Sequence, residues 1–232
     1  MELLFHTAAF EVTADAWFAI TGAAHANVDT WRVVRLSAGT LIELQPTSSG
    51  VWSYLAIEGG FAAPRYFGSA SVYERGRIGS ALRDGEILLR SAGWSFRLPA
   101  HVAGQSVEWS ERRDYRTPPG LRFWRGPQWD RFSGAAQSAF QNQEWSVSSR
   151  SDRVGYRLNG TPLEGAAGQI ISEPVRAGSI QVPESGEPIV TMPDGPTVGG
   201  YMKLGVVHPD DLSWLAQCRP GQRVDFRLLD ET

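Results

Sequence analysis

The chain has 232 residues, enough for one large domain or two compact ones that each bury a core without disulfides. A formal net charge of −3 lacks the basic excess of a nucleic-acid-binding surface, and the single cysteine, Cys218, has no intrachain partner. The opening "MELLFHTAAFEV" carries Glu2 where a secretory leader carries positive charge, and no apolar run is long enough to cross a bilayer; a cytoplasmic protein without membrane partners is expected.

In chain order, short apolar or alternating runs separated by Gly, Pro, Asp and Ser dominate: "RVVRL", "TLIEL", "VWSYLAIEG", "EILLR", "WSFRL", "LRFWRG", "EWSVSSR", "SIQVP", "PIVTM", "MKLGVV" and "RVDFRL". This pattern predicts a mainly β protein. Two segments break it at helical spacing. Trp129, Phe132, Ala136 and Phe140 fall on one helix face, and Leu212, Leu215 and Ala216 on a shorter one capped by Asp210 or Asp211 and ended by Pro220-Gly221.

The halves also resemble each other. "SAGTLIEL" parallels "RAGSIQV", "YLAIEGG" and "TMPDGPTVGG" both run to a Gly-Gly pair, and "LRDGEILLR" parallels "CRPGQRVDFR", in the same order. Three collinear matches favour an internal duplication over coincidence. The seam is expected in "EWSERRDYRTPPG" (108 to 120), which gives β domains over 1–112 and 113–232.

The stretch "VSSRSDRVGYRLNG" (147 to 160) is charged where a strand is expected. Alternation puts Arg150, Asp152, Val154, Tyr156 and Leu158 on one face and Ser149, Ser151, Arg153, Gly155 and Arg157 on the other, and neither is apolar throughout. Either the strand begins near Val154 after a loop, or Gly155 marks a bulge. Arg153 and Arg157 lie roughly 13 Å apart on a strand, too far to grip one small carboxylate together. Arg150 and Asp152 are near enough to pair. A solvated, salt-bridged edge is the plainer reading.

In "GPTVGGYMKLG" (195 to 205), paired glycines admit close backbone approach, and Tyr201 with Lys203 places a phenol and an ammonium on one face. No Gly-Lys-Ser/Thr follows, so this is not a phosphate loop. His6, His25, His101 and His208 lack partners at metal-ligand spacing, and no metal site is expected. The nine tryptophans read as core or interface anchors before a sugar-binding platform.

The runs "RGPQWDRF", "VSSRSDRVGYRL", "ISEPVRAGSIQVP", "GEPIV" and "GGYMKLG" with "DDLSWLAQCRPGQRVDF" resemble the biotin-dependent carboxyltransferase family, also called allophanate hydrolase subunit 2 or KipA-like, which includes the C component of 5-oxoprolinase. "FAITGA", "YLAIEGG" and "GSASVYERGRIGSALRDGE" are similar to the rear of that family's first domain. The resemblance implies paired cyclophilin-like β-barrels, the first truncated here, with a few short helices. It implies one part of a hydrolase or carboxyltransferase that acts on a small amide or lactam such as 5-oxoproline, with ATP held by a partner or with biotin. The implied partners in a hetero-oligomer are a KipI-like protein and a LamB/YcsF-like protein.

By the same resemblance, Arg153, Arg157 and Lys203 are candidates to hold a carboxylate or oxyanion. Asp152, Tyr156, Tyr201 and Glu173 are candidates for proton transfer, Gln128 and Gln181 for orienting hydrogen bonds, and Gly199 and Gly200 for close approach to substrate. Two departures stand out: the family's opening "TTVQD" segment is missing, and its Thr-Thr-Gly-Gly-Tyr-Pro-Lys reads Thr197-Val198-Gly199-Gly200-Tyr201-Met202-Lys203. They leave a second reading open, a non-catalytic KipA-like regulator of a KipI-like partner.

Overall fold

The computed structural model describes residues 1–4, 7–91, 100–102, 104–117, 120–164 and 169–229. Two compact units divide the chain, one formed by 1–48 with 52–113 and the other by 49–51 with 114–232. His6 and the "WSFRL" run lie outside the described residues. Among the described residues no helix is long and apolar enough to cross a membrane.

The first unit contains β1 (Glu2–Leu4), β2 (Ala8–Glu11), β3 (Ala16–His25), β4 (Arg32–Leu36), β5 (Leu41–Leu44) and β6 (Thr47–Ile57) apart from its residues 49–51. Four strands form a sheet in the order β1-β6-β3-β4, and β2 pairs with β5. Alternation along β3 turns Ala16, Phe18 and Ile20 toward Val12, Ile42, Leu44 and Leu55, a small apolar core. "EILLR" forms no strand of its own.

In the second unit the elements are β7 (Leu121–Arg125), α1 (Gly134–Asn142), β8 (Trp145–Val147), β9 (Gly155–Asn159), β10 (Gln169–Pro174), β11 (Ser179–Val182), β12 (Ile189–Thr191), β13 (Val198–Val207), α2 (Pro209–Ala216), β14 (Arg223–Val224) and β15 (Phe226–Leu228). The strands form a nearly closed sheet in the order β14-β8-β9-β12-β11-β13-β7-β15, with β10 added on β13. Its interior is aromatic: Phe123, Phe140 and Phe226 meet with centroids 4.7 to 6.2 Å apart, and Trp145 packs on Phe140 while its Nε1 donates to Phe140 O at 3.0 Å. The mainly β expectation holds.

Local sequence adjusts both predicted helices. The periodic stretch from Trp129 to Phe140 is split, because Ser133 accepts from Ala136 N as an N-cap and starts α1 afresh. Trp129 therefore lies in a preceding 3-10 turn, yet both Trp129 and Phe132 stay buried. In α2 the cap is His208, whose Nδ1 accepts from Asp210 N, ahead of Pro209 in the first turn. Asp211 is released for another task. It is buried against β7, where its carboxylate accepts from Arg122 N, Nε and Nη2, each at 2.8 Å.

The duplication is not shown by the fold. Gly39 and Gly178 both take left-handed φ ahead of a strand, but Gly59 sits in a turn at φ +81° whereas its counterpart Gly199 lies inside β13.

Burial raises the Asp211 carboxyl, but the three bonds from Arg122 outweigh it and the net displacement is downward. A carboxyl depressed in the folded state contributes stability above its unfolded value of about 4, and this is lost as pH falls through the folded value. Asp211→Asn is expected to lower stability at neutral pH by about 1–3 kcal/mol. It is also expected to flatten the loss of stability on acidification below about pH 4, measured by urea unfolding over a pH series.

Candidate functional site

The pairing register of the second unit fixes which side chains share a face. Tyr156 pairs with Val190 and Val190 with Ile180, and all three point into the core. The next row is Arg157 on β9, Ile189 on β12, Gln181 on β11 and Lys203 on β13, each the register partner of its neighbour, so these side chains stand on the opposite face. Every residue of β11 is buried, so this face is covered at Gln181 as well.

Lys203 is the only lysine among 22 basic residues, and only 8% of its surface is exposed. A buried ammonium needs partners. Its Nζ donates to Pro174 O at 2.7 Å and lies 2.9 Å from Glu173 Oε1, both on β10. Gln128 closes the network: its Nε2 donates to Glu173 Oε1 at 2.8 Å, and its Oε1 accepts from Lys203 N at 3.0 Å. Glu173 is held below the ordinary carboxylate range, first by the hydrogen bond from Lys203 and also by that from Gln128, against the opposing effect of burial. It remains an anion as the pH falls and is poorly suited to donate a proton.

Beside this pair, Gln181 Nε2 donates to Thr191 Oγ1 at 2.7 Å, and both residues are buried. Gln181 Oε1 faces Gly199. A Cβ on Gly199 would lie 3.1 Å from that oxygen and 3.1 Å from Val175 Cγ2, so the missing side chain leaves room beside the amide oxygen. Gly200 plays a related part against β10, where a Cβ would lie 3.2 Å from Ile170 O. Tyr201 follows on the Lys203 face, and the residue is 42% exposed.

The structure therefore gathers Gln128, Glu173, Gln181, Gly199 and Lys203, with Gly200 and Tyr201 adjoining. Arg157 stands on the same row, exposed, with no partner for its guanidinium among the described residues. Three strand spacings separate its Cα from that of Lys203, about 14 Å. The other expected residues lie elsewhere. Arg153, ahead of β9, pairs with Asp194 at 2.7 Å. Asp152 Oδ1 accepts from Val154 N and Gly155 N in the turn before β9, the loop alternative to a bulge. Arg150 pairs with Glu187 instead of Asp152. Tyr156 is buried on the core face, and its hydroxyl donates to Ala216 O at 2.8 Å. These contacts hold Asp152 in the turn and Tyr156 on the core face.

Sequence reasoning missed Thr191 and the Pro174 carbonyl. One signal was available: a lone lysine in a chain otherwise furnished with arginine marks a position where a compact ammonium is required. Among the described residues no group of three or more His, Cys, Asp or Glu is placed to hold a metal.

The chain is similar to proteins of known sequence and structure. The chain is 34% identical over 239 residues to the C component of 5-oxoprolinase from Escherichia coli, an alignment that covers 97% of the chain and 74% of that protein. Against the urea amidolyase of Saccharomyces cerevisiae it is 26% identical over 220 residues, 83% of the chain and 11% of the relative. The crystal structure of TTHA0988 superposes with a TM-score of 0.82 at 31% identity, covering 97% of the chain and 45% of that structure's chain, so the present chain spans less than half of it. With residues 1–228 matched by the model for the carboxyltransferase domain, subdomain A and B, the chain belongs to that family.

Proposed function

We propose that the chain is the carboxyltransferase-type component of a multi-subunit enzyme acting on a small lactam or ureide, with 5-oxoproline as the leading substrate. The observation that carries this reading is the pairing of Lys203 with Gln181. An ammonium has three donors, and two of its directions are taken by Glu173 and Pro174. Among the described residues no third acceptor meets it, and a carbonyl oxygen placed there would be held more strongly as it gains charge during attack. Gln181 Oε1, with room beside it at Gly199, is the acceptor for an N–H. A cation beside an acceptor suits a group that offers C=O next to N–H, as a lactam or a urea does.

In this reading Arg157 receives the substrate carboxylate, and Tyr201 is the proton-transfer group. Glu173 holds Lys203 in place, and Gln128 orients both. Arg153, already neutralised by Asp194, is secondary.

The same donor and acceptor fit the ureido ring of biotin, which Lys203 and Gln181 would hold; when bound in its carboxylated form that group supplies an activated carboxyl. ATP fits less well. Gly199 and Gly200 lie within a strand and not ahead of a helix, so ATP use is assigned to a partner, of KipI-like or LamB/YcsF-like type. Such a complex is the expected setting for turnover.

Two substitutions test the reading in the complex reconstituted with co-purifying partners. Lys203→Met is expected to lower 5-oxoproline-dependent ATP hydrolysis by roughly 100- to 1,000-fold while the complex still assembles. Gly199→Ala, which covers Gln181 without backbone strain, is expected to raise KM for the lactam and leave kcat nearly unchanged. Stable assembly with no turnover on any lactam or ureide would instead support the regulatory reading.

A further inference from the structure

The segment between Gly60 and Ser91 leaves the first unit and returns to it. At its base Phe61 bridges Arg90, Ala62 N donates to Leu89 O, and Ser91 N donates to Gly60 O. From 62 to 90 no residue is buried. Local turns shape this arm: a bridge between Tyr66 and Ser69, and another between Tyr73 and Ile78 around the 3-10 turn Glu74–Gly76. Excursions of this length without a core of their own are uncommon, and are either functional or linkers.

Its most unusual point is the tip at Tyr66–Ser69. Tyr66 N donates to Ser69 O at 2.8 Å and Ser69 N to Tyr66 O at 2.9 Å, which makes a two-residue hairpin. The central residues, Phe67 at φ +50° and Gly68 at φ +82°, are both left-handed, as a type I′ turn requires. Asparagine or glycine takes the first position at low cost; phenylalanine is an outlier there. Phe67 is also 99% exposed, with Ile87 at 78% and Leu89 at 64% on the returning leg. Backbone strain and an aromatic ring in water coincide at one residue, a combination that persists where a contact repays it.

A receptor of matching size lies beside the arm's base. Trp17 and Ala19 of β3, Val33 of β4, Ala56 and Ile57 of β6, and Glu58 line a groove of about 230 Å³. This is below the roughly 300–1,000 Å³ of small-molecule sites and suits one side chain. Charge agrees: residues 62–90 carry five arginines against three acids, so the rest of a chain of net charge −3 stands at −5.

We propose that the Phe67 tip of one copy seats in this groove of a second copy, the two arms being exchanged about a two-fold axis. Because the groove adjoins the base of its own arm, a two-fold brings each tip to the other copy's base, and the contact closes on itself.

Sedimentation equilibrium of the full chain tests this. The wild type is expected to be a dimer, and Phe67→Gly to raise the dimer dissociation constant by roughly tenfold or more through loss of the buried ring. The same substitution relieves the left-handed phenylalanine, so the monomer is expected to keep or gain thermal stability. A merely structural ring would not divide the two readouts in this way. Phe67→Cys combined with Ala56→Cys is expected to give a disulfide between chains on oxidation. Cys218 does not compete, since burial pushes its thiol up to about 12. A monomeric wild type, an equally tight Phe67→Gly dimer, or a cross-link formed within one chain would overturn the proposal.

Discussion

The second unit is organised around the burial of one ammonium. Placing Lys203 on the covered face of a sheet carries a desolvation cost of several kcal/mol, tolerable only with an anion and further acceptors in contact. Glu173 and the Pro174 carbonyl meet that condition from β10, and Gln128, from the loop after β7, bonds to both members of the pair. Two elements distant in sequence are thereby tied to one strand position. Removal of any member leaves a charge or an amide without its partner, which is why the cluster is expected to act as a unit.

The hydrophobic scaffold makes this possible by being closed on its other side. Ile180 and Val182 fill the aromatic interior, and the alternation of β11 then sends Gln181 to the Lys203 face. A register shift between Ile180 and Gln181 brings Lys203 opposite Gln181, where a regular ladder continuing from the Ile180–Gly205 pair would offer Leu204. The bulge thus converts an apolar neighbour into a cationic one. Gly126 is required close by, since a side chain there would collide with Lys203 O. At the far end of β13, the Arg122–Asp211 pair fixes α2 to β7.

Much of this was legible in the letters. Strand content followed from alternation, and the family followed from ordered motifs around "RGPQWDRF" and "GGYMKLG". The grouping of Gln128, Glu173, Gln181 and Lys203 rested on that resemblance, because residues up to 75 positions apart meet only through strand pairing. The charged stretch leading into β9 was harder. Its residues look alike in sequence, but the turn before β9 assigns Asp152 to capping, Arg153 to Asp194 and Tyr156 to the core, and leaves Arg157 on the Lys203 row. Face assignment depends on where a strand starts, and one residue of register reverses it. The repeated glycines do not by themselves establish a duplication, since glycine serves left-handed turns and close strand approaches alike.

Because Lys203 is the only lysine, its ammonium can be followed directly in a chain labelled with ¹⁵N-lysine. The account predicts one slowly exchanging Nζ signal at neutral pH that broadens in Glu173→Gln and shifts when 5-oxoproline or a cyclic urea is added. A rapidly exchanging signal indifferent to both the substitution and the ligands would contradict it.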